Sequence, residues 1–95
     1  MASKRNLKKD INYLVDEVIG TCMMRQTIDD RKIQDEMDAI IREMLDFREE
    51  MLNKVNNPQT EDNSKKSTRS YYRALYEELL QKVNGVFDRI HAITE

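Results

Sequence analysis

Apolar residues recur at spacings of three and four along three stretches of the chain, and two polar breaks separate the stretches. That period predicts three amphipathic helices. The first, over residues 4–24, lines up Leu7, Ile11, Leu14, Val15, Val18, Ile19 and Cys22. Thr27-Ile28-Asp29-Asp30 then reads as a short turn and a new helix start. Thr27 is the expected cap, with Asp30 as its capping-box partner, and both aspartates suit the positive end of a helix dipole. The second helix, over 29–55, carries Ile33, Met37, Ile40, Ile41, Met44, Leu45, Phe47, Met51, Leu52 and Val55. Asn56-Asn57-Pro58 stops it, because proline cannot continue the hydrogen-bond ladder and restricts the residue before it.

Residues 56–67 form a polar, flexible loop in this reading, since no Val, Leu, Ile, Met or aromatic residue occurs from Asn56 to Ser70. The third helix, over 68–93, alternates spacings of four and three through Tyr72, Tyr76, Leu79, Val83, Val86, Ile90 and Ile93. This is a heptad seam, widened by Leu75, Leu80 and Phe87. The fold expected is therefore all-α: one domain over residues 1–95, built as an up-down-up antiparallel three-helix bundle. Short connections favour antiparallel neighbours. The apolar arcs of the first two helices cover about half their circumference at ~100° per residue, more than a lone bundle comfortably buries. Tyr13 and Met24 project away from the first stripe, and Tyr71 lies at the border of the third. A homodimer associating through helix faces follows as an expectation, two-fold dimers being the commonest oligomers.

The second helix has the most specific pattern. With Met37, Met44 and Met51 at a positions, Ile40 and Phe47 fall at d and Glu36, Glu43 and Glu50 at g. Ile41, Arg48 and Val55 then fall at e, so a parallel coiled coil would set Glu43 against Arg48 of a second chain. In the simpler reading the glutamates form a solvated edge and Arg48 reaches out from the rim of the core. Either way Arg48 lies inside the apolar arc, where an unpaired charge is costly.

Composition narrows the classes. The 95 residues are 39% apolar and 36% charged, with two glycines and one proline, too few for the frequent turns of an all-β chain. Sixteen Lys and Arg against 18 Asp and Glu leave a net charge of −2, which argues against a strongly basic nucleic-acid protein and against a disordered polyelectrolyte. Charge is unevenly placed: residues 29–55 hold nine acids and five bases, while residues 1–28 hold five bases and three acids. The single cysteine, Cys22, excludes an intrachain disulfide. No secretory h-region follows Lys4-Arg5, and no apolar run approaches the ~20 residues of a membrane span. A cytoplasmic protein with no membrane association is expected.

The groups that carry chemistry are sparse. Asp35-Glu36-Met37-Asp38 resembles a carboxylate cluster, but Asp35 and Asp38 fall opposite the methionine stripe, whereas helical carboxylate enzymes aim their acids inward. Asp88 and the sole histidine, His91, share a face at a spacing of three, too few groups for a metal site. Cys22 reads as a small buried apolar residue. Gly20 and Gly85 are isolated inside helices, so there is no glycine-rich phosphate loop. Catalytic residues, cofactor and metal are accordingly expected to be none, and the chain is not expected to be an enzyme.

Two basic groups remain: Lys4, Arg5, Lys8 and Lys9, and Lys65, Lys66, Arg69 and Arg73. In an up-down-up bundle they gather at one end, interleaved with Tyr71 and Tyr72, as a pole for anion or nucleic-acid contact. The function expected is a non-catalytic helical interaction or regulatory module with an unknown protein partner; the alternative is a nucleic-acid-associated protein using the basic pole.

Overall fold

The computed structural model describes residues 3–58 and 65–94, the side chains of 65–67 excepted. It contains three helices, α1 (Lys4–Arg25), α2 (Arg31–Asn56) and α3 (Lys65–Thr94), and no strand among the described residues. Helix α1 starts where the Ser3 hydroxyl accepts the amide N–H of Asn6 at 3.2 Å, so one of its unpaired first-turn donors is satisfied. It ends with the Gln26 amide donating to the Cys22 carbonyl and the Thr27 hydroxyl donating to Met24 O at 2.7 Å.

Thr27 therefore closes α1 instead of opening α2. The cap of α2 is Asp30, whose extended backbone lets one carboxylate oxygen accept from the amides of Lys32 and Ile33 at 3.0 and 3.3 Å. Helix α2 begins two residues later than the sequence pattern places it for this reason. Helix α3 begins three residues earlier, at Lys65. Periodicity marks only the part of a helix that packs, and Lys65 and Lys66, good helix formers, carry no such period.

Leu7, Ile11, Val15, Val18 and Cys22 of α1 meet Met37, Ile40, Met44, Met51 and Val55 of α2 and Tyr72, Leu75, Leu79, Val83, Val86 and Ile90 of α3 in one core. The methionine heptad of α2 is fully buried. On α3 the buried seam uses Leu75 where the heptad pattern has Tyr76, and Tyr76 is exposed. Burying a tyrosine is favourable where its hydroxyl finds a partner. Tyr72 has one, donating to Val55 O at 3.3 Å.

Cross-helix contacts fix which parts of the helices are neighbours. Asp38 and Arg48 of α2 meet Gln26, which caps the end of α1, and Asp16 of α1. Lys54 and Glu43 of α2 meet Glu78 and Lys82 of α3. The body is a rod of 52 × 19 × 18 Å. Helices α1 and α3 run straight through Gly20 and Gly85, and an added Cβ at either would meet nothing within 4 Å. No described helix is long and apolar enough to cross a membrane.

Candidate functional site

Glu43 is the hub of the α2–α3 seam. Its Oε2 accepts from Lys82 Nζ at 2.7 Å and from Arg89 Nη1 at 2.8 Å. These charge-assisted bonds, from Arg89 first and Lys82 second, hold the Glu43 carboxyl below the usual carboxylate range against the opposing effect of burial. The Lys82 ammonium also stands 5.7 Å from the centre of the Phe47 ring. About three turns along α2 from Glu43, Lys54 Nζ sits 3.3 Å from Glu50 and 3.4 Å from Glu78. Partial burial works to lower its pKa, and the two carboxylates outweigh that and raise it.

Arg48 has its partner on α1. Its Nη1 lies 3.2 Å from Asp16 Oδ1, and the two side chains are 31% and 67% exposed. Arg48 and Glu43 thus each find a counter-charge within the chain, and neither is left unpaired in the apolar arc. Sequence reasoning missed Asp16, Lys82 and Arg89 as those partners. Lys82 and Arg89 stand seven residues apart, the one signal that would have placed them on a single edge of α3. Beyond Asp16, Gln26 donates to Asp38 Oδ1 at 2.7 Å and to Gln34 O at 3.1 Å, locking the turn between α1 and α2.

The basic clusters are only partly described. Lys4, Arg5, Lys9, Arg69 and Arg73 are exposed and Lys8 is half-buried. The side chains of Lys65 and Lys66 lie outside the described residues. No ion pair among the described residues involves these cations, and none links the two clusters. The aromatic part of the expected pole is not free for stacking. Tyr72 is 8% exposed, and its ring stands 6.0 Å from that of half-buried Tyr71. Both hydroxyls are engaged, donating to Lys54 O and Val55 O.

Cys22 is buried, and burial pushes its thiol pKa up, with nearby Arg89 opposing. A thiol held protonated is a poor nucleophile. Asp35 pairs with Arg31 one turn before it at 3.4 Å, and Asp35 and Asp38 are exposed. Asp88 and His91 are exposed on the outside of α3. Among the described residues no three His, Cys, Asp or Glu side chains converge as a metal site would require.

Exposed apolar side chains are the other feature of the surface. Tyr13, Met23 and Met24 of α1 are 62%, 59% and 73% exposed, far more than Leu45, Tyr76 and Leu80 at 36–41%. Comparison with protein-family models, with curated proteins and with solved structures finds no match.

Proposed function

We propose that the chain is a non-catalytic helical interaction module: an up-down-up antiparallel bundle, working as a cytoplasmic homodimer, that engages a protein partner through helix faces. The pairings Gln26–Asp38 and Asp16–Arg48, then Lys54–Glu78 and Glu43–Lys82, support the antiparallel course, since numbers rise along one helix as they fall along the next. The observation that carries the function is the exposure of Tyr13, Met23 and Met24 on α1, on a helix whose other face is already in the core. Large apolar side chains this exposed, on a helix already buried on its other side, support an association surface. Light scattering coupled to size exclusion tests it: a mass twice that of the chain is expected at high concentration, and a monomer throughout would refute the dimer.

A second reading is favoured by the exposed cations Lys4, Arg5, Lys9, Arg69 and Arg73, which lack carboxylate partners among the described residues. In it the basic clusters form a pole for nucleic acid. Binding would then weaken steeply with salt through counterion release, and Lys65→Glu with Lys66→Glu would abolish it. Retention on heparin that does not change with salt, or no retention at all, would dispose of this reading.

A further inference from the structure

Cys22, Met23 and Met24 put sulfur at consecutive positions near the end of α1. Successive residues of a helix are turned by ~100°, so these side chains meet different surroundings. Cys22 is buried in the core, while Met23 and Met24 are 59% and 73% exposed. Met37, Met44 and Met51 of α2 are fully buried. Sulfur is thus sorted by burial into a closed set in the core and an open pair on α1.

Oxidation by a peroxide requires the oxidant to reach a sulfur lone pair. Cysteine reacts as its thiolate, and burial raises the Cys22 pKa, so that thiol is both covered and held protonated. A thioether has no proton to lose, and its oxidation follows access. Met23 and Met24 have that access. Neither belongs to the core or to the half-buried side chains packed against it, so an added oxygen there disturbs no core contact.

We propose that Met23 and Met24 form a reversible oxidation site, each taking one oxygen atom from hydrogen peroxide while Cys22 and the core methionines stay reduced. The sulfur lone pair attacks one peroxide oxygen, the S–O bond forms and the O–O bond breaks. The proton of the transferred oxygen passes to the departing hydroxide, which leaves as water. Sulfur is oxidised and the peroxide reduced. The product is methionine sulfoxide, polar where the thioether was apolar. A sulfoxide reductase reverses the step with thiols as reductant, which become a disulfide as the oxygen leaves as water. Sulfoxides here turn polar two of the exposed apolar side chains of α1 that carry the interaction reading, so oxidation weakens association through this helix. That consequence rests on the homodimer reading, and the selectivity of the oxidation does not.

Hydrogen peroxide on the dilute, folded full chain tests the site, dilution keeping association from shielding the pair. Peptide mass spectrometry locates the added oxygen over time, and circular dichroism confirms that the fold persists. Met23 and Met24 are expected to react at least about tenfold faster than Met37, Met44 and Met51, as burial protects a side chain in the folded state, and Cys22 to remain a thiol. In urea the difference between the methionines should vanish. Equal methionine rates in the folded chain, or oxidation of Cys22 ahead of Met23 and Met24, would overturn the site. Sedimentation equilibrium then reads the consequence. The oxidised wild type should dimerise about tenfold more weakly than the reduced one, whereas Met23→Leu with Met24→Leu, apolar but without sulfur there, should dimerise equally before and after peroxide. A wild-type dimer unaffected by oxidation, or a leucine variant that peroxide weakens as much, overturns the effect on association. A reduced wild type that is monomeric throughout overturns the homodimer reading instead, and the oxidation rates still decide the site.

Discussion

Glu43 binds α2 to α3 through two cations at once, which distinguishes it from the other surface glutamates of α2. Replacing it with Gln keeps the shape and removes the charge, leaving Lys82 and Arg89 facing each other without a counter-ion. The expected loss is about 1 kcal/mol at neutral pH, the upper end for partly exposed pairs because two are removed together. The sign of the pH dependence follows from the lowered carboxyl pKa. The folded state favours the ionised form, so the contribution is complete above the ordinary value of 4.5 and disappears as pH falls through the lower folded value. Urea unfolding of wild type and Glu43→Gln should therefore differ at pH 7 and converge in acid, once the lowered folded value is passed; a gap that persists there would show that Glu43 acts through packing. Met44 is a different kind of residue, fully buried within the methionine heptad. Met44→Ala should cost about 2–5 kcal/mol at any pH, read from the same unfolding curves. A loss below about 1 kcal/mol would mean that neighbouring methionines flow into the space.

The helices tolerate their glycines without using them internally. Gly85 lies mid-helix in α3, exposed, with open space where a Cβ would go. Gly85→Ala should stabilise the chain by about 1 kcal/mol through helix propensity alone, raising Tm by roughly 4–8 °C in a scanning calorimeter. An unchanged or lower Tm would mean that position 85 packs against something outside the chain. How far the elements were legible depended on what each residue answers to. The spacing of Leu7, Ile11, Val15 and Val18, or of Met37, Met44 and Met51, reflects burial against two neighbours, and burial leaves a period that can be read directly. The exchange of Leu75 for Tyr76 did not show, because both positions fit an apolar arc and the choice turns on whether a hydroxyl finds a carbonyl. Thr27 and Asp30 are both capping residues; which one caps is decided by where the turn closes, and Thr27 is engaged with Met24 O behind it. The Arg48 and Glu43 partners lie 32 and 39 or 46 residues away, beyond the reach of any local pattern. The exposed end of α1 was only half legible: Tyr13 and Met24 stood off the stripe, while Met23 passed as ordinary helix.

At the scale of the molecule, a rod 52 Å long and under 20 Å across exposes much surface for its mass. Its 6652 Å² compares with about 5,700 Å² expected of a compact monomer of 11.3 kDa. Association also couples to folding. A second copy that binds the folded chain but not the unfolded one stabilises it in proportion to the logarithm of concentration, by about 2.7 kcal/mol at a hundredfold excess over Kd. For a chain of this length each kcal/mol moves Tm by roughly 4–8 °C, so the wild-type Tm should climb by ten degrees or more between dilute and concentrated solution. The Met23→Glu, Met24→Glu chain should melt at one temperature throughout, because both side chains are exposed in the single chain and their loss disturbs no core contact. Gly85→Ala should shift the whole wild-type curve upward without changing its slope, since propensity acts within each chain. A wild-type Tm independent of concentration would mean that the three-helix rod is stable alone and that its open apolar face awaits a different protein.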